Sequence, residues 1–99
     1  MLFNHFVYIV TNIYRTTLYI GVTNNIQRRI SQYYFDSQNG GKSFAEKYNC
    51  YYLVYYEGFE SSRDAIAREK ELKKWRREKK NKLIKGFNPK WESLNNQVI

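Results

Sequence analysis

Apolar residues gather in three short runs and along two stripes of helical spacing. Residues 3 to 10 and 17 to 22 are dense in Val, Ile, Tyr and Phe, side chains that fit a pleated, half-buried surface. Between them, Thr11-Asn12-Ile13-Tyr14-Arg15-Thr16 has turn chemistry, so the pattern predicts an antiparallel hairpin. Side chains alternate across a strand. Phe6, Tyr8 and Val10 therefore share one face of the first strand, and on the second Tyr19 and Gly21 oppose Leu18, Ile20 and Val22. Tyr8 and Tyr19 can face the same side.

After Gly21, Thr23-Asn24 supplies an N-cap, and Asn25 to about Asp36 reads as a helix with Ile26, Ile30 and Tyr33 on its inner stripe. At about 100° per residue, Arg29 falls beside that stripe and Arg28 points nearly opposite Ile30, which favours Arg29 for a site and Arg28 for solvent. Asn39-Gly40-Gly41-Lys42 breaks the chain, in a loop expected to be mobile, and Ser43-x-x-Glu46 has the form of a capping box for a short helix through Tyr48. Tyr51 to Tyr56 is the expected third strand, ended by Gly58. Ser61 or Ser62 then caps one long helix to about Lys85, with Gly86 as its stop signal. Its wheel gathers Ala65, Ile66, Leu72, Leu83 and Ile84 on one side. Glu69 lies inside that stripe and Glu71 and Glu78 outside it, so Glu69 is either half-buried and paired or poised over a cleft. The tail around Asn88-Pro89-Lys90-Trp91 is expected to cap the fold, with the last few residues loose.

The length fits one domain, residues 1–99, with a core from about 3 to 91. The formal net charge of +8 is unevenly spread: residues 63 to 90 carry twelve Lys/Arg against four acids, whereas residues 1 to 62 carry five against four. A basic segment of this kind suits a polyanionic partner. The single cysteine, Cys50, rules out an internal disulfide or a cysteine metal cluster and is expected to pack. The opening Met1 to Val10 lacks a basic flank and includes Asn4 and His5, unlike a signal peptide. No run approaches the roughly 18 apolar residues of a membrane span, so a reducing cytoplasm is the expected compartment.

The order Val7-Tyr8, Tyr19-Ile20-Gly21, Arg29 and Glu69 resembles the GIY-YIG nuclease superfamily, here as a short stand-alone member. That superfamily also includes the excision-repair incision endonuclease and phage homing endonucleases. The likeness spans roughly residues 3 to 91. Phe6 stands where the family name has glycine, and Val22 where the repair enzyme has a lysine near its site. The resemblance implies an α+β fold, a small three-stranded mixed or antiparallel sheet flanked by helices, with the site on the sheet face. It implies catalytic roles for Tyr8, Tyr19, Arg29, Tyr33 and Glu69. Glu69 would be the ligand of a divalent ion, Mg²⁺ or else Mn²⁺.

These residue types suit phosphodiester hydrolysis, which needs an oriented water and stabilisation of charge on the phosphoryl and leaving oxygens. Tyr8 as general base requires its pKa to fall from about 10 to near 7, about 4 kcal/mol of preferential phenolate stabilisation. Taken singly, each residue has a plainer reading. Strand tyrosines pack, Arg29 is a surface charge, and Glu69 pairs with Lys73 one turn on. Their joint order and spacing favour the nuclease site. His5 reads as a strand-edge residue. On the continuous helix, Lys73, Arg76 and Lys80 share the Glu69 side and form a phosphate track, contacts that position a backbone without reading bases. The expectation is an endonuclease acting on DNA in repair, recombination or mobile-element processing, with weak sequence preference and room for a protein partner that supplies specificity. The rivals are a non-catalytic or partner-activated nucleic-acid-binding module and a structural protein whose basic helix binds an acidic partner.

Overall fold

The two tyrosine-bearing runs form strands β1 (His5–Thr11) and β2 (Leu18–Thr23), paired antiparallel as the hairpin pattern predicts. The structure is a computed structural model and describes residues 3–38 and 49–98. The break at Asn39-Gly40-Gly41-Lys42 and the capped helix from Ser43 through Tyr48 lie outside the described residues. Asn12 organises the hairpin turn: its Oδ1 accepts from the Thr16 and Thr17 N–H groups at 2.9 and 3.1 Å, and its amide donates to Thr16 Oγ1 at 2.7 Å.

Strand β3 (Tyr52–Phe59) pairs antiparallel with the other side of β1, giving the order β2-β1-β3 with β1 in the centre. It runs three residues past the expected end at Tyr56. Gly58 does not stop it because the Phe3 ring lies over the place of its missing side chain; a Cβ there would sit 2.5 Å from Phe3 Cδ2. The register of β1 against β3 shifts between Ile9 and Val10, with Val54 as the extra residue of a bulge. The adjacent Val54 and Tyr55 consequently both join the cluster on one face, and Leu53 the cluster on the other.

Helix α1 (Ile26–Gln38) starts one residue later than expected. Asn25 is its cap, its Oδ1 accepting from the Arg28 N–H at 3.0 Å, while Thr23 Oγ1 accepts from the Asn25 N–H. The long helix expected from Ser61 to Lys85 is two helices, α2 (Ser62–Lys73) and α3 (Arg77–Phe87). Lys74 and Trp75 bond back to Glu71 and Leu72, and Arg76 is extended. In a straight helix Leu72 and Ile84 would point about 120° apart and lie about 18 Å apart along the axis. Here both are fully buried in the same cluster, which the bend makes possible. Ile66 of the predicted stripe is exposed.

The sheet is covered on both faces. Phe6, Tyr8 and Val10 pack with Ile26, Ile30 and Tyr33 of α1 on one side, and Val7, Ile9 and Ile20 pack with Ala65, Leu72 and Ile84 on the other. The tail is more ordered than expected, since Leu94 is buried and α4 (Asn95–Val98) follows it. The tail shields the outer edge of β3. The Leu94 N–H donates to Leu53 O, and the Asn95 amide accepts from Leu53 N–H and donates to Tyr51 O. Covering an edge strand in this way removes a template for unwanted pairing. Among the described residues no helix is long and apolar enough to cross a membrane.

Candidate active site

Tyr8 lies directly opposite Gly21 in the hairpin, and Tyr19 opposite Val10. Both tyrosines therefore face α1, as their alternation requires. Gly21 has a particular reason to be glycine. The Tyr8 ring crosses over it, so a Cβ at position 21 would be 2.5 Å from Tyr8 Cζ and nearer still to Oη. The space left by Gly21 lets the phenol reach α1, where Tyr8 Oη hydrogen-bonds Tyr33 Oη at 2.5 Å. The Tyr19 ring meets the Tyr33 ring edge-on at a centroid distance of 6.2 Å. One turn before Tyr33, the Arg29 guanidinium carbon is 5.9 Å from the Tyr33 ring centroid. Four of the five expected catalytic side chains thus form one cluster on one face of the sheet.

Burial is the chief electrostatic fact there. Tyr8 is 1% exposed and Tyr33 5%. Desolvation of the phenolate, with the neighbouring Tyr33 adding to it, holds Tyr8 well above the usual phenol pKa, and Arg29 offsets only part of that. Burial raises Tyr33 as well. Arg29 also loses solvation, which works against its charge, but the phenolic groups of Tyr8, Tyr33 and Tyr19 outweigh the loss and raise its pKa. The Tyr8 shift is opposite to the one a general base needs, because Arg29 repays only part of the cost of charging the phenol out of water.

Glu69 stands apart from this cluster. It follows Ala65 by four residues and precedes Leu72 by three, so it shares their sheet-facing stripe on α2, which packs chiefly against β1 and β2 on the opposite face of the sheet. Its side chain is 20% exposed and pairs with Lys73 Nζ at 3.5 Å. Since β2 is an edge strand, the edge is the route by which a ligand could touch both α2 and the tyrosines. Among the described residues no group of three or more His, Cys, Asp and Glu side chains gathers as a metal cluster.

The expected phosphate track does not lie on one helical face. Lys73 ends α2 and holds Glu69, Arg76 sits in the extended turn, and Lys80 is half-buried on α3. Arg77 instead clamps the hairpin, donating to Arg15 O at 2.8 Å and Thr16 O at 3.0 Å. Asn88 is structural: buried, it donates to Val54 O and Glu92 O and accepts from Glu92 N–H. His5 begins β1, half-buried. The reduced Cys50 is buried, and burial pushes its thiol up to about 11. Periodicity alone does not disclose the role of Gly21, because its reason is a cross-strand partner; a tyrosine and a glycine in register are the signal for it.

The buried phenols make stability sensitive to base. A group whose pKa is raised in the folded state contributes stability that is intact below its unfolded value and lost as pH rises toward the folded one. For Tyr8 and Tyr33 the unfolded value is 10.0, and Tyr55, pushed up to about 12 by burial and then by Glu57, adds to the effect. The melting temperature is therefore expected to fall steeply above about pH 10, with much of the phenolate absorbance appearing together with unfolding. Smooth titration of every tyrosine at constant melting temperature would contradict this.

The family model of the GIY-YIG catalytic domain matches residues 4–83. A UPF0213 protein of Clostridium perfringens is 35% identical over 83 residues, covering 83% of this chain and 85% of that one. A UPF0213 protein of Staphylococcus aureus is 33% identical over 82 residues, covering 83% and 95% respectively. The solution NMR structure of a UPF0213 protein from Bacillus halodurans superposes with a TM-score of 0.50 at 29% identity, covering 81% of each chain.

Proposed function

Because the chain belongs to the GIY-YIG catalytic-domain family, we propose that it is a metal-dependent endonuclease that hydrolyses phosphodiester bonds in DNA. The observation that carries this reading is the joining of Tyr8, Tyr19, Arg29 and Tyr33 on one face of the sheet. A structural tyrosine cluster has no need of a guanidinium held charged beside it. A phosphoryl group does, since the planar fork of arginine matches its oxygens.

In the proposed reaction, Arg29 binds the phosphoryl oxygens and stabilises the charge that develops on them. The linked, neutral hydroxyls of Tyr8 and Tyr33 orient the attacking water by accepting its hydrogen bond, and Tyr19 flanks them at the open side. Tyr8 is assigned orientation and not deprotonation, in keeping with its raised pKa. Glu69 would hold a divalent ion. Its partly exposed carboxylate, paired among the described residues with Lys73 at 3.5 Å, suits Mg²⁺, which keeps several waters and uses one or two carboxylates. When bound, such an ion polarises the phosphate and stabilises the leaving oxygen. Lys73, Arg76 and Lys80 are proposed to meet the phosphate backbone around the α2–α3 turn, Lys73 and Arg76 from exposed positions and Lys80 from a half-buried one.

The test is incubation of labelled single-stranded, duplex, branched and flapped DNA with Mg²⁺ or Mn²⁺, against the same reactions in chelator. Cutting that needs the ion is the expected result. Salt-sensitive binding with no cutting of any substrate would replace the enzyme with a non-catalytic binding module.

A further inference from the structure

Beside the tyrosine cluster lies a groove of about 360 Å³. Phe6, Ile26 and Tyr56 form an apolar floor, and Asn24, Gln27 and Gln97 stand at the rim. The groove adjoins the candidate site along two elements. Phe6 is two residues before Tyr8 on the same face of β1, and Ile26 is one turn before Arg29 on α1.

Its chemistry differs from that of the basic segment around the α2–α3 turn. No charged side chain lines it, so a charged group would find no side-chain counter-ion there. The amides at its rim make no side-chain hydrogen bond among the described residues. Each offers a donor and an acceptor side by side. An aromatic and aliphatic floor with such amides at the edge fits a flat, uncharged ring with hydrogen-bonding edges. A nucleobase is such a ring, and the side-chain amide pairs bidentately with the N6 and N7 positions of adenine. The volume has room for a base together with its sugar.

We propose that this groove receives the base of a nucleotide next to the phosphate being cut, and that it takes adenine best. The inference rests on the nuclease reading for its place in the reaction, but not for the binding itself. It replaces the weak sequence preference expected of backbone contacts alone with a preference at one flanking position.

The experiment is an NMR titration of the ¹⁵N-labelled full chain with the four deoxynucleosides, which carry no phosphate, repeated with Gln27→Ala and Gln97→Ala. Both positions are exposed, so the fold is expected to hold, and the amide spectrum reports whether it does. Expected are saturable shifts of the Asn24, Gln27 and Gln97 side-chain amides, with deoxyadenosine binding at least about tenfold tighter than deoxycytidine, a ratio of the size one good bidentate contact gives. The variant that removes the pairing amide should lose that ratio, and its retention by both variants would overturn the proposal. No shift in the groove, or equal binding of all four nucleosides by the wild type, would overturn the proposal. A protein that binds deoxyadenosine in the groove yet cuts no DNA would retire the nuclease reading alone. One that cuts DNA while ignoring nucleosides would retire the groove alone.

Discussion

Glu69→Gln is expected to lower metal-dependent cleavage by at least about a thousandfold, while DNA affinity in chelator and melting temperature stay near those of the wild type. A bound divalent ion contributes several kcal/mol of charge stabilisation in the transition state, and about 4 kcal/mol corresponds to about a thousandfold in rate. The glutamine keeps the size of the side chain and one of its oxygens but removes the charge that holds the ion. Stability should barely change, because the partner Lys73 is half in solvent and an exposed ion pair of this kind contributes about 0–1 kcal/mol. Cleavage, and not the melting temperature, therefore separates the two readings of Glu69. A purely structural partner of Lys73 gives a small stability change and full cleavage, and that outcome would remove Glu69 from the site.

What could be read from the sequence was what depends on local periodicity. Alternation placed Tyr8 and Tyr19 on one face, the 100° helical step placed Arg29 and Tyr33 beside them, and the structure has this arrangement. What could not be read depends on packing across elements. The helical stripe from Ala65 to Ile84 gave no sign of a break, since no proline or glycine lies between Ser62 and Lys85. The break follows from Leu72 and Ile84 having to reach one sheet. With it went the single-face track of Lys73, Arg76 and Lys80. The continuation of β3 through Gly58 was hidden for the same kind of reason, because the ring that covers the glycine comes from Phe3. The depressed pKa a tyrosine base would need was likewise a matter of surroundings, and there the phenol is buried beside a second phenol.

Gly21→Ala is expected to cost about 1–3 kcal/mol of stability, the usual range for overpacking a closed site, and to lower cleavage by about a hundredfold. The added Cβ meets the Tyr8 ring, and Tyr8 has nowhere to go: it is 1% exposed and enclosed by the cluster that includes Val10, Ile30 and Tyr33. Either the two strands part or the phenol turns away and breaks its bond to Tyr33. Both displace the group that orients the water, and a shift of about 1 Å in a catalytic group can cost about a hundredfold in rate. Gly58→Ala is the matched control, since the Phe3 side chain that it crowds is 40% exposed, so the cost there should be smaller than at the enclosed Tyr8. If Gly21→Ala kept wild-type stability and turnover, Tyr8 would not lie across Gly21, and the site would have to be built without that phenol.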